Sequence, residues 1–319
     1  MKSIIYLFLF LCGTVNYAQQ LHKVYDRGNT VFFSANSFLG QEKVSEYNNS
    51  YVDQNFVKGL SEDKREFFTL PLEASKRLLV DVHFSKTDSV YYYNYYHNVS
   101  YSFPVSDLVV KGHWSGLDLT MDDKPYYDVE VGFALDKAKL KGIESQYFRA
   151  FISVGRDNPF LKRGNVNLVK WEELKNPKPL ISLQRMSEEC NRACDSSQQW
   201  GINKTFKSQH GEMDYYVYQI VGASQCSDYY LVIYKRSSNL IVSTSLYFDN
   251  EIKSYNHITV GQRKEDLRDD EIDDSMWIGD FLKGKQNTYW GLESYQYVCP
   301  KVYFIYKDEL QVECIIYTG

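Results

Sequence analysis

The stretch from Ser89 to His97 reads Ser-Val-Tyr-Tyr-Tyr-Asn-Tyr-Tyr-His. As a β-strand it places Tyr91, Tyr93 and Tyr95 on one face, with Tyr92 and Tyr96 flanking Asn94 on the other. A strand with large rings on both faces is either covered twice or shows an aromatic row to water, and that choice limits the folds open to the chain. The segments Thr30–Phe38, Arg77–Ser85, Tyr126–Leu135 and Tyr147–Val154 are likewise rich in aromatic and β-branched residues. In one of them Val80, Val82 and Phe84 alternate with Asp81 and His83, the period-2 pattern of a half-buried strand. One short helix is expected at Asp136–Gly142, with Asp136 as N-cap and Gly142 as stop. Many short strands with a single short helix predict a mainly β first half, antiparallel and sandwich- or jelly-roll-like.

The second half reads as β with a few helices (α+β). A helix is expected over Glu188–Gln199, and strands at Tyr215–Val221, Tyr229–Lys235 and Leu240–Phe248, the last two joined by a turn at Ser237-Ser238-Asn239. A final hairpin is expected from Lys301–Tyr306 and Leu310–Tyr317. Between the halves lies Asn176-Pro177-Lys178-Pro179, where two prolines favour an extended linker. Residues 19–179 carry 21 basic and 21 acidic side chains, whereas 180–319 carry 14 and 20. This shift suggests a sandwich-like domain over 19–176 and a cysteine-containing α+β domain over 180–319. One domain crossed by a rigid loop is the alternative.

The first 18 residues have the three parts of a secretory signal: Lys2, an apolar run from Ile4 to Cys12, and a small, polar stretch ending at Ala18. The apolar run is short of the ~20 residues a spanning helix needs, so cleavage after Ala18 and export to the periplasm, cell surface or medium are expected. No later apolar run approaches spanning length, so no transmembrane segment is expected after cleavage. A net charge of −5 and the lack of a basic stripe argue against nucleic acid as a partner.

Export makes disulfides the default for Cys190, Cys194, Cys226, Cys299 and Cys314. An odd number leaves one thiol over. Bridges from the 190–194 helix to strands carrying Cys226 and either Cys299 or Cys314 are favoured, because residues one helical turn apart bridge poorly. A zinc site from Cys190, Cys194, His210 and Cys226 has suitable ligand types but lacks paired Cys-x2-Cys knuckles. No metal and no cofactor are expected.

Three segments resemble functional motifs and fail on physical grounds. Gly279–Gln286 approaches a phosphate-binding loop, but Gln286 replaces the magnesium-binding hydroxyl, and a helix ended by Gly284 is expected instead. Gly112-His113-Trp114-Ser115-Gly116 has one residue too many for a hydrolase elbow and reads as a β-turn. The acidic run Glu265–Asp274 lacks the order and glycine of an EF-hand and reads as a helix start, with Leu267, Met276 and Phe281 facing inward.

No catalytic constellation emerges. The expected function is an exported, non-enzymatic envelope or secreted protein that binds a polysaccharide or another protein. Tyr91, Tyr93, Tyr95, Trp114 and Trp290 are the candidate binding aromatics. An exported hydrolase with a site assembled in the second half is the alternative, and a structural component that assembles through its tyrosine faces is a third possibility.

Overall fold

A computed structural model of the protein describes residues 21–27, 30–35, 51–121, 124–143, 148–175, 177–193, 199–222, 227–247, 267, 275–291 and 301–316. The first half holds strands β1 (Leu21–Lys23), β2 (Tyr25–Arg27), β3 (Thr30–Ser34), β4 (Phe67–Thr69), β5 (Ser89–Asn94), β6 (Val99–Pro104), β7 (Val109–Met121), β8 (Lys124–Leu135), β9 (Ala150–Gly155), β10 (Phe160–Leu168) and β11 (Glu172–Leu174). Helices α1 (Gln54–Gly59), α2 (Glu62–Arg65) and α3 (Leu72–Asp81) lie among them. The second half opens with helix α4 (Leu183–Ala193). Strands β12 (Trp200–His210), β13 (Met213–Gly222), β14 (Ser227–Lys235), β15 (Leu240–Tyr247), β16 (Trp277–Leu282), β17 (Gln286–Trp290), β18 (Lys301–Tyr306) and β19 (Glu309–Ile316) follow. The protein is thus mostly antiparallel β with few helices.

Nine strands form one sheet in the order β10-β16-β17-β18-β19-β1-β9-β5-β6. All its pairings are antiparallel except β1 with β19, where Leu21 lies opposite Ile315. The sheet curls until its two edge strands, β6 and β10, meet. Side chains stitch this seam. The Asn98 Nδ2 donates to the Val166 carbonyl at 2.8 Å, and the Asn98 Oδ1 accepts from the Val166 N–H at 2.6 Å. Asn98 sits at φ 57° in the β5–β6 turn, a conformation asparagine tolerates better than most residues.

Alternation along each strand sorts side chains to the inside or the outside of this rolled sheet. Tyr93, Phe151, Phe160, Phe281 and Trp290 fill the inside as a contiguous apolar cluster. Tyr93 stacks between Phe160 and Phe281 at 5.5 and 5.1 Å, and such ring pairs contribute about 0.5–1.5 kcal/mol each beyond burial. Gly164 on β10 leaves room for the Tyr93 hydroxyl, which would lie 1.8 Å from a Cβ there. That hydroxyl donates to the Asn98 Oδ1 at 2.7 Å.

Two five-stranded sheets cover the outside. The sheet β2-β3-β8-β7-β4 packs face to face on β5, β6 and β9, joining Phe33, Val131 and Phe133 to Val90, Tyr92 and Ile152 in a sandwich. The sheet β11-β12-β13-β14-β15 packs on the opposite flank, joining Phe206, Tyr215 and Leu231 to Ile278, Tyr289 and Tyr303. Its far face is covered by α4 through Met186 and Cys190 against Tyr218 and Tyr230. Strands β1, β5, β6, β9 and β10 precede Pro177, and β16 to β19 follow Pro179, so both sides of the proline pair contribute to the rolled sheet.

Most expected strands form close to their expected bounds, and several expectations are corrected. Arg77–Ser85 is not a strand. Helix α3 runs to Asp81 and ends at Val82, after which His83 takes φ 58°. Leu78 and Val82, four residues apart, are buried while Val80 is 69% exposed, so the 3.6 period wins over the apparent alternation. Asp136 does cap a helical turn, but a 3-10 one over Lys137–Lys139, accepting from the Ala138 N–H at 2.9 Å.

Gly112–Gly116 is not a β-turn. It lies within β7, beside a register irregularity between Trp114 and Asp118. Gly279–Gln286 is not a helix either: β16 and β17 form a hairpin through it. Gly279 is required there by a close approach, since a Cβ would stand 2.0 Å from the Asn165 carbonyl oxygen on β10. Leu267, Met276 and Phe281 are buried; the rest of the acidic run from 265 to 274 lies outside the described residues.

The seam gives a first testable expectation. Replacing Asn98 by alanine removes three hydrogen bonds and strands the Tyr93 hydroxyl in the aromatic interior, at a cost of about 2–3 kcal/mol. Urea unfolding should show the midpoint falling accordingly. Tyr93→Phe in the Asn98→Ala background should recover part of the loss, because it removes the orphaned hydroxyl.

Candidate functional site

The structure takes the covered alternative for the tyrosine strand. Tyr91, Tyr93 and Tyr95 are 7%, 0% and 7% exposed and face the interior of the rolled sheet, while Tyr92 faces the sandwich core. As an exposed stacking row these three residues are therefore ruled out, because β10, β16 and β17 close over them. Trp290 lies in the same interior, stacked on Trp277 at 6.4 Å. Trp114 is half-buried on β7, with the Arg65 guanidinium 5.9 Å above its ring. The five candidate aromatics do not form one surface.

Cys190 is buried, packed between α4 and the far face of β12–β14. The residue fills an apolar contact beneath α4, where a small buried sulfur side chain behaves as a hydrophobe. Cys194, Cys226 and Cys299 lie outside the described residues, and Cys314 is described in its backbone, opposite Lys301 in β18–β19. His210 does not join Cys190 in a metal site. Phe206 packs toward the rolled sheet, and alternation along β12 puts His210 on that same face, opposite α4. Among the described residues no cluster of three or more histidine, cysteine or carboxylate groups is placed to hold a metal ion.

Among the described residues, an arrangement open to a ligand lies elsewhere, at the edge of the β11–β15 sheet. Strand β11 is only three residues long, and its ladder with β12 spans Glu172↔Lys207 to Leu174↔Thr205. Ser208, Gln209 and His210 run on beyond it, paired with β13. The chain before β11 instead follows β16, the Val169 N–H donating to the Met276 carbonyl at 2.9 Å. The divergence opens a cleft of about 530 Å³. Leu168, Val169 and Ile278, all buried residues, form its apolar part. Lys170, Glu172, Lys207, Gln209 and His210 supply polar groups.

Lys207 links the cleft to the outer face of the sheet. Its Nζ lies 2.9 Å from Asp214 Oδ2, on a side chain only 4% exposed, and 5.3 Å from the centre of the Tyr216 ring. The Arg236 Nε lies 3.3 Å from Asp214 Oδ1. Burial pulls the Lys207 ammonium toward neutrality, but hydrogen bonds to Asp214 and Tyr216 more than offset this and hold its pKa above the usual lysine value. A buried carboxylate thus pins two cations beside a half-buried tyrosine that stacks on Tyr218 at 6.4 Å. Sequence reasoning recognised β13 as a strand but singled out none of Lys207, Asp214 or Tyr216. The available signal was Asp214 breaking an otherwise aromatic and aliphatic strand.

No known protein family, curated protein or solved structure matches this chain. Among the described residues no helix is long and apolar enough to cross a membrane.

Proposed function

We propose that the protein is an exported, non-enzymatic binding protein of the cell envelope or secreted fraction, and that the cleft beside β11 receives its ligand. The reading rests on the polar cleft of about 530 Å³ whose edge carries an ammonium fixed by a buried carboxylate over a tyrosine ring. Ligand sites combine an apolar surface with a few fixed polar groups, and this cleft has both. Between a polysaccharide and a protein partner, the polysaccharide fits better. Mixed donors and acceptors over an apolar patch match the hydroxyl groups and C–H faces of sugars. Export rests on the N-terminal signal pattern. Glu172 is the one carboxylate among the described residues lining the cleft, which gives the hydrolase alternative no pair of acids to work with there.

Affinity electrophoresis through gels containing a panel of polysaccharides tests the proposal. At least one should retard the protein. Gln209→Trp, a bulky change at an exposed cleft position, should weaken that retardation at least tenfold without lowering the melting temperature. Retardation by none of the panel, or an unchanged response in the variant, would overturn the reading.

A further inference from the structure

Given that reading of the cleft, we infer that its ligand is an acidic saccharide and that Lys207, positioned by Asp214, meets the acidic group. Two lysines, Lys170 and Lys207, are among the residues lining the cleft, with Glu172 the single acidic one. They differ in how well they are held. Lys170 is exposed on a loop, while Lys207 is anchored on β12 by Asp214 at 2.9 Å and by the Tyr216 ring.

Asp214 itself cannot serve the ligand directly. Its Oδ1 is buried, and its carboxylate faces Lys207 and Arg236. Its effect is to order a long, flexible side chain before binding, so that less conformational entropy is lost when a ligand arrives. Lys207 pairs with Asp214 at 2.9 Å and its side chain is still 23% exposed, so it stays within reach of an incoming anion. Asp214 neutralises one of its two cations and leaves a net positive group beside the cleft. Around it Lys170, Ser208, Gln209 and His210 line the cleft with donors and acceptors suited to hydroxyl groups. An anionic group on a hydroxyl-rich backbone is the chemistry that uses both features.

The test compares oligogalacturonate with its methyl ester, which keeps the sugar backbone and removes the charge. Isothermal titration of the full exported chain should show the acid form binding at least tenfold tighter at low salt. That preference should shrink in 0.5 M NaCl, because screening weakens exposed charge contacts. Lys207→Gln should abolish the preference. Asp214→Asn should reduce it, and Asp214→Glu should restore part of it, a rescue that a purely structural role in folding would not tie to the acid form alone. Melting temperatures of the variants identify any that fail to fold, and Lys170→Gln, on an exposed loop, supplies a second variant whose preference should fall by a smaller factor.

Equal binding of acid and ester, both lost in Gln209→Trp, would overturn the acidic-group inference and leave the cleft as a neutral-sugar site. Acid preference that survives Lys207→Gln would also overturn it. Equally tight binding of polyglutamate would overturn the saccharide assignment in favour of an acidic peptide. If no saccharide binds at all, the proposed function fails with it.

Discussion

Replacing Gly279 by alanine should destabilise the protein by about 3 kcal/mol or more, one of the largest effects expected of any single methyl group in this chain. The added Cβ would stand 2.0 Å from the Asn165 carbonyl oxygen and 2.5 Å from the Val166 Cα. Both are backbone atoms of β10, and Val166 pairs with Gly279 in the β10–β16 ladder. No side-chain rotation relieves such a contact; the strands themselves must part. The same strand β10 carries the Asn98 seam, so the strain falls where the rolled sheet is held by side chains. Gly284, five residues later in the same motif-like run, is the control. It takes φ 73° in the β16–β17 turn with no atom within 4 Å of an added Cβ. Alanine there should cost only about 1 kcal/mol, the penalty of a left-handed backbone. Equal urea midpoints for the two variants would show that the close approach of β10 and β16 is not what requires Gly279.

The second large effect is acid-dependent. His22 is fully buried in β1, between Ile316 on β19 and Ile152 on β9. Burial disfavours the imidazolium and lowers its pKa from 6.5 to about 3. The folded protein therefore refuses a proton that the unfolded chain accepts. Above pH 6.5 both states hold a neutral imidazole and the group is silent. As pH falls from 6.5 toward 3 the unfolded state gains protons and stability is lost, by on the order of 5 kcal/mol over the full window. Below about pH 3 the folded state protonates too and the loss levels off. His22→Leu removes this linkage. The stability difference between wild type and variant, measured by denaturant titration at pH 7, 5.5 and 4, should move in favour of the variant by about 1.4 kcal/mol per pH unit within the window. Parallel profiles would show that His22 is not a source of the acid sensitivity.

The sequence was most readable where a local rule and the tertiary context agree. The strands at 215–221, 229–235 and 240–248 lie close to the observed bounds, because their composition and their polar turns both specify hairpins. The turn at Lys307-Asp308 is a tight one with both residues at positive φ, a hairpin geometry that Asp tolerates. Helix α3 was hidden because Val80, Val82 and Phe84 alternate at its end. Pro71 at its start and the run Leu72–Leu79, free of β-branched residues, were the better signals. The role of Gly279 was invisible, since a single residue does not announce which distant strand will cross it. The candidate site was hidden for the same reason. Lys207 and Asp214 are ordinary strand residues until the β12–β13 register, with Lys207 opposite Tyr216 and Asp214 opposite Gln209, makes them diagonal neighbours. The tyrosine strand, in contrast, posed the right question, and the rolled sheet answers it by covering both faces.

The parallel pairing of β1 with β19 ties residues 21–22 to residues 315–316. It sets an order of events during synthesis. The ribosome releases Leu21 early, but its neighbour in the sheet arrives some 290 residues later. Hairpins such as β5–β6 and β12–β13 can form as soon as they emerge, whereas the rolled sheet cannot close until β19 is available. Closing so long a loop is slow, and the aromatic interior stays open to water and to other chains meanwhile.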